Sequence, residues 1–275
     1  MQRPSLLPTP TTRNRLGRGF PFVAALLFGT SVLAAAPARS LAPAPVVARI
    51  VQTAPVVIAP VAAPCPPEMA LVGSSCVDKW EASLVEIDES GAETPHSPFE
   101  TPAGKKVRAI SRPDVTPQAH ISMNDAKRAC AASHKRLCRA TEWKKACKGP
   151  DATRYPYGNS RRADVCVDTH RVAPMARLHQ GEHSIATMND PRANQLPGTV
   201  AHTGEAAQCT NGYGVHDMVG NVHEWTDDGT FRGGYYLDTE QNGEGCEYKT
   251  KAHAPWYYDY STGFRCCADA DESAR

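Results

Sequence analysis

The segment from Tyr213 to Arg232, YGVHDMVGNVHEWTDDGTFR, runs directly into Gly233-Gly234-Tyr235. Glycines, acids, a Trp and an Arg-Gly-Gly turn crowd together here. The run as a whole is therefore neither helix nor regular strand but a string of tight turns. Glycine supplies the positive φ angles that such turns need. Acids and backbone carbonyls supply oxygens that suit a hard cation. A chain built around this run must be organised by something other than long regular elements.

The chain has 275 residues, enough for one large domain or two small ones. It carries 30 basic and 29 acidic side chains, net +1, a balance that argues against a nucleic-acid surface or a polybasic membrane patch. There are ten cysteines. An even count in an exported protein implies disulfides. The N-terminus points to export. Arg3, Arg13, Arg15 and Arg18 form a basic region without an acid, and Phe20–Ala36 is an apolar core of 17 residues followed by small residues. That is the composition of a secretory signal, assigned to 1–36. An uncleaved anchor is the alternative, and it is the one way this chain is expected to touch a membrane. Residues 37–64 are rich in Pro, Ala and Val and form a semi-extended spacer. The folded part, 65–275, is expected in an oxidising, extracytoplasmic space, periplasmic or secreted.

Two helices are predicted. One begins at Ser122, with Asp125 three residues on as an approximate capping box, and runs to about Ser133. The other covers Ala140–Lys148 and is stopped by Gly149-Pro150. Short strands are predicted at Ala70–Val72, Val77–Ala82, Val107–Ile110, Gly220–Thr226 and Gly263–Cys267. The remainder is loop, and a compact domain with that much irregular chain needs disulfides or cations to offset its entropy.

Several landmarks now fall into order. Lys135-Arg136-Leu137, Glu142-Trp143 and Ala146-Cys147 resemble the KRLPTEAEWEYAC motif of the formylglycine-generating enzyme, or sulfatase-modifying factor, family. Tyr155-Pro156-Tyr157-Gly158-Asn159 resembles its YPWGN turn. Gly220-Asn221-Val222, Glu224-Trp225, Arg232-Gly233-Gly234 and Gly263-Phe264-Arg265 match the rest. The resemblance covers about residues 65–270. It implies a single α+β domain of C-type-lectin-like fold, loop-rich and stapled by disulfides.

The resemblance also implies pairings. Ten cysteines allow about 945 complete sets, so the family is the guide: Cys130 with Cys266, and Cys147 with Cys246. Proximity adds Cys65–Cys76. Cys138–Cys267 follows because both stand beside family positions, and Cys166–Cys209 remains by elimination. The family binds calcium before its Gly-Asn-x-x-Glu-Trp motif, which corresponds here to Asp217, the carbonyls of Gly220 and Val222, and Glu224. Two carboxylates and two carbonyls suit that ion. A second family calcium site would fall at Asp164 and Val165.

The oxidising centre departs from the family. Its active members carry two cysteines shortly after Arg-Gly-Gly that hold copper(I) as thiolates. Here the segment after Arg232-Gly233-Gly234 is YYLDTEQNGEGC, and the first thiol position is Asp238. A hard carboxylate does not replace a soft thiolate, so copper is not expected. The reading is a calcium-stabilised, non-catalytic binding domain. Its groove is formed by Tyr235, Tyr236, Asp238, Trp256 and Tyr257 and takes a peptide, a glycan or an envelope protein, not a nucleic acid. The alternative is an enzyme. It would be a formylglycine-type oxidase using Cys266-Cys267 or Cys246, or a histidine–iron enzyme using His216 and His223.

Overall fold

The computed structural model describes residues 63–271. The export segment at 1–36 and all but the last two residues of the 37–64 spacer lie outside the described residues. In chain order the elements are β1 (Met69–Val72), β2 (Ser75–Asp78), β3 (Ala82–Ile87), β4 (Glu93–Pro95), β5 (Val107–Ser111), α1 (Met123–Ala131), β6 (Arg136–Leu137), α2 (Ala140–Lys148), α3 (Pro174–His179) and α4 (Ile185–Met188). There follow β7 (His223–Trp225), β8 (Phe231–Arg232), β9 (Lys249–Thr250), β10 (Thr262–Phe264) and β11 (Cys266–Asp269). The class is α+β, loop-rich, as the sequence predicts.

Three small sheets carry the fold. The first has order β1-β2-β11-β6, the second β10-β7-β8-β9 and the third β4-β3-β5. Pairing is antiparallel throughout except for β10 on β7, which is parallel. α1 forms as predicted. Ser122 caps it, accepting from the Asp125 amide at 3.1 Å. α2 has the predicted bounds, with Glu142 at its third position accepting from the Arg139 amide.

Three strand predictions are corrected. Val77–Ala82 splits into the end of β2 and the start of β3, because Lys79, Trp80 and Glu81 cross between sheets and Glu81 turns inward. Gly263–Cys267 splits at Arg265, whose side chain leaves the strand for the centre of the molecule. The short β7 and β8 lie within the turn-rich run 213–232, so part of it is regular strand after all. The predicted strand Gly220–Thr226 shrinks to β7, because Gly220 sits at φ +81° and Asn221 at φ +56°, outside strand geometry. A Cβ on Gly220 would collide with the Val167 carbonyl oxygen, so the residue has to be glycine.

Five disulfides join Cys65–Cys76, Cys130–Cys266, Cys138–Cys267, Cys147–Cys246 and Cys166–Cys209. These are the five pairs named from the sequence. Two of them meet at β11, and strand geometry explains how. Successive side chains of a strand point to opposite faces. Cys266 therefore enters the core that holds Ala129, Cys130, Trp225 and Phe264, whereas Cys267 enters the one that holds Cys138, Trp143 and Cys147. One dipeptide thus fastens two cores to one strand, the first through α1 and the second just ahead of α2.

Candidate functional site

The centre of the molecule is a cluster of buried charge. Arg265, from the break between β10 and β11, is fully buried. Its Nε and Nη2 donate to Glu224 at 2.7 Å each. Its remaining donors reach the carbonyls of Asp78 at 2.9 Å and His216 at 2.8 Å. Trp143 from α2 donates its indole N–H to the same Glu224 carboxylate at 2.7 Å. One bidentate pair therefore ties α2, β2, β7 and the 213–222 turns together.

Two further acids stand beside it. Glu81 accepts from the Asn221 amide group at 2.7 Å and the Val222 N–H at 3.2 Å. Asp217 accepts from the Gly204 N–H at 2.6 Å, while its other oxygen is buried without a partner. Burial, reinforced by the carboxylates of Asp217 and Glu224, raises the Glu81 pKa well above the usual range. Burial likewise pushes Asp217 up to about 7. Three carboxyl groups face one guanidinium, so the cluster is short of positive charge.

This geometry tests the calcium set of Asp217, Gly220, Val222 and Glu224. The fit is partial. Both oxygens of Glu224 are occupied by Arg265 and Trp143, and the cation that Glu224 faces is the guanidinium. Of the two carboxylates in the set, Asp217 keeps a buried oxygen without a partner. Asp164 is exposed at the mouth of a cavity of about 240 Å³, where it accepts from the Thr169 hydroxyl at 2.7 Å and faces His170 at 2.9 Å. Val165 precedes Cys166 in the same loop.

The predicted groove comes together only in part. Tyr235 and Tyr257 enter one aromatic cluster with His223, Phe231, Tyr248 and His253. His223 lies 5.2 Å from Phe231 and 4.9 Å from Tyr235, and His253 stacks on Tyr257 at 3.7 Å. Tyr236 is no groove wall. It is fully buried and donates its hydroxyl to Asn194 at 3.0 Å, packing in the core with Tyr260. Tyr235 and Tyr236 lie 5.4 Å apart and both reach Tyr260, but only Tyr236 is closed off from solvent. Asp238 is engaged internally, accepting from the amides of Glu240 and Gln241 and from the Tyr248 hydroxyl at 2.7 Å. Trp256 is 65% exposed and stands apart from the cluster.

The histidine–iron alternative does not assemble. His216 stacks on Trp80 at 5.9 Å and His223 sits among the aromatic rings, where burial drives its pKa down to about 4. Glu224, the neighbouring carboxylate that such a site would need, is bound to Arg265. Among the described residues no group of three or more His, Cys, Asp or Glu side chains converges as a metal cage. The sequence reading missed Glu81, Trp143 and Arg265 as a functional unit, and Tyr248 and His253 as cluster members. Glu81 had a signal: an acid directly ahead of the strand-like run Ala-Ser-Leu-Val at 82–85 needs a partner when buried.

Residues 74–270 match the family model described as the sulfatase-modifying factor enzyme 1-like domain. A formylglycine-generating enzyme of Bos taurus is 32% identical over 128 residues, covering 46% of this chain and 30% of that protein. One from Thermomonospora curvata is 31% identical over 135 residues, covering 49% and 40%. The inactive C-alpha-formylglycine-generating enzyme 2 of Bos taurus is 27% identical over 168 residues, covering 56% and 50%. The chain therefore spans half or less of the length of these curated relatives. Among solved structures, PvdO from Pseudomonas aeruginosa aligns with a TM-score of 0.42 at 16% identity, over 71% of this chain and 80% of that one. With well over half of its length matched to the family model, this chain belongs to the sulfatase-modifying factor enzyme 1-like family.

Proposed function

We propose that this domain is an exported, non-catalytic member of its family that works by binding a peptide, a glycan or an envelope partner. One observation carries the reading. All ten cysteines are engaged in five disulfides, so no thiolate pair is left to hold copper(I) or to attack a substrate cysteine. Asp238 stands where the family places its first thiol, and it is spent on internal hydrogen bonds. Similarity to proteins named inactive points the same way. The basic, apolar N-terminus and the disulfides support an extracytoplasmic site of action. The rings of Tyr235, His253 and Tyr257, with the exposed Trp256, supply stacking surface for a partner.

The test is direct. A thiol reagent applied to the denatured, unreduced chain is expected to find no free thiol. A copper(I) titration is expected to show no tight stoichiometric site, and a cysteine-containing sulfatase peptide is expected to stay unoxidised. Two free thiols together with tight copper(I) binding would overturn the proposal.

A structural calcium ion is the second reading, and the unpartnered Asp217 oxygen in a cluster short of positive charge favours it. Asp217, with Glu81 beside it, would hold the ion and calcium would supply the missing charge. Adding calcium to chelator-treated protein is expected to raise the melting temperature, by the equivalent of about 2.7 kcal/mol at a hundredfold excess over Kd. Asp217→Asn is expected to remove that rise. A melting temperature indifferent to calcium ends the calcium reading and leaves the binding-domain reading untouched.

A further inference from the structure

Two asparagines of this chain stand directly ahead of a glycine, in Asn211-Gly212 and Asn242-Gly243. Such a pair can modify itself. Glycine has no side chain to shield its amide nitrogen, so that nitrogen reaches the asparagine side-chain carbon more readily than any other residue's does. Asparagine counts among the heat-labile residues for this kind of chemistry. The fold treats the two sites in opposite ways.

Asn211 is half-buried and locked. Its NH2 donates to the carbonyls of Ala146 and Cys147 at 2.7 and 3.1 Å, and its side-chain oxygen accepts from the Tyr213 N–H at 2.9 Å. The first two bonds satisfy carbonyls in the last turn of α2. Swinging the side chain onto Gly212 would break all three. Asn242 and Gly243 are both exposed. Among the described residues the Asn242 side chain makes one hydrogen bond, from its NH2 to the Tyr248 hydroxyl at 3.1 Å. The fold also fixes the glycine. Gly243 sits at φ +105°, and a Cβ there would come within 2.9 Å of the Glu247 carbonyl oxygen.

We propose that Asn242 is a self-modification site, at which the folded domain converts asparagine to aspartate and isoaspartate while Asn211 is protected. The step needs only water. The Gly243 nitrogen gives its proton to hydroxide and attacks Asn242 Cγ. A C–N bond forms there, the bond from Cγ to the side-chain nitrogen breaks, and ammonia leaves with a proton from water. Water then opens the succinimide ring at one of its two carbonyls. Opening at Cγ gives aspartate. Opening at the main-chain carbon gives isoaspartate, whose backbone runs through Cβ and Cγ. Nothing is oxidised or reduced, and one amide becomes one carboxylate.

Both products disturb neighbouring structure. The Tyr248 hydroxyl that accepts from Asn242 donates in turn to Asp238 at 2.7 Å, and its ring packs on His223 with centres 5.5 Å apart. A carboxylate at 242 has no proton to donate, and the single Tyr248 proton cannot serve it and Asp238 together. Isoaspartate lengthens the backbone by one carbon beside the carbonyl that accepts the Lys249 N–H at 3.0 Å. Lys249 opens β9, the edge strand of the second sheet. Conversion therefore adds negative charge close to Asp238 and loosens β9. The proposal holds whether or not the domain is catalytic.

The experiment ages the full folded chain in warm, mildly alkaline buffer and follows both sites by peptide mass mapping. Each event makes its peptide about 1 Da heavier, and fragmentation that cleaves the isoaspartyl backbone separates the two products. Asn242 is expected to convert at least about tenfold faster than Asn211. In reduced, denatured chain the two sites are expected to react at comparable rates, since the hydrogen bonds that protect Asn211 are then gone. Amide hydrogen exchange at Lys249 is expected to speed up in the aged protein. Asn242→Gln, an exposed change that lengthens the side chain past easy ring closure, is expected to keep its Lys249 protection through the same treatment. Equal rates at the two sites in the folded chain, an Asn242 that stays unmodified while the denatured chain reacts, or the same loss of Lys249 protection in Asn242→Gln overturns the proposal.

Discussion

Arg265→Met will melt roughly 10 °C or more below the wild-type chain, and its deficit will shrink as the pH falls. The first part follows from what the guanidinium holds. Removing one partner of a buried ion pair costs about 3–5 kcal/mol, because the other charge stays behind uncompensated. In a domain of this size that corresponds to several degrees per two kcal/mol. Here the loss strips Glu224 of both of its charged hydrogen bonds and leaves the Asp78 and His216 carbonyls without their donors. The second part follows from Glu81 and Asp217. Both hold their protons more tightly in the fold than in the unfolded chain. Between the ordinary carboxyl range and about pH 7 the folded state therefore binds more protons, and this contribution to stability is fully present at low pH and lost as pH rises. Without Arg265 the repulsion among three carboxylates grows, so the variant is expected to be weakest near pH 8 and to recover part of the loss near pH 5. Glu224→Gln combined with Arg265→Met should cost less than the single Arg265 change, since the double variant no longer strands the Glu224 carboxylate. Melting curves by circular dichroism at the two pH values measure all of this. A pH-independent loss under about 1 kcal/mol would show that the cluster is not the keystone described above.

How much of this was legible in the sequence differs by element. α1 and α2 were, because Ser122, Glu142 and Gly149 act locally and a cap needs only a few neighbouring residues. The family was legible from the order of its landmarks. Strand ends were not: Val77–Ala82 and Gly263–Cys267 each look continuous, and what breaks them is the inward turn of Glu81 and Arg265 toward partners far along the chain. For the same reason Glu224 was read as a calcium ligand. Its short-range context of glycines and carbonyls suggests a cation, while the guanidinium that occupies it lies 41 residues away. Tyr236 was misplaced because a pair of adjacent tyrosines does not say which of the two faces the core. The pairing of Cys130 with Cys266, and of Cys147 with Cys246, was available from the resemblance alone, since no local rule chooses among the possible sets.

Those pairings set the other large effect. Full reduction will unfold the domain, and the five bonds will not contribute equally. In the chain-entropy model a crosslink closing about 100 residues stabilises by about 4.7 kcal/mol, and one closing about 15 residues by about 3. Cys130–Cys266, Cys138–Cys267 and Cys147–Cys246 close separations of 136, 129 and 99 residues, and Cys65–Cys76 closes 11. Three long closures together rival the whole stability of an ordinary domain, which is about 5–15 kcal/mol. Removing Cys130 and Cys266 as a pair should therefore cost more than removing Cys65 and Cys76, and it also frees α1 from β11. Access orders the kinetics differently. Cys65 is half-buried at the edge of the described chain, whereas the six sulfurs of the three long closures are fully buried. A mild reductant acting on the folded protein is expected to open Cys65–Cys76 first, with little change in the melting curve, and to reach the others only as the domain unfolds. Alkylation followed by peptide mass mapping gives the order, and denaturant titration of the two paired Cys→Ser variants gives the costs. If the Cys65/Cys76 variant proves the less stable of the two, the staple at β11 is not what keeps the two cores on one strand, and the loop-rich fold must be held by the buried charge cluster instead.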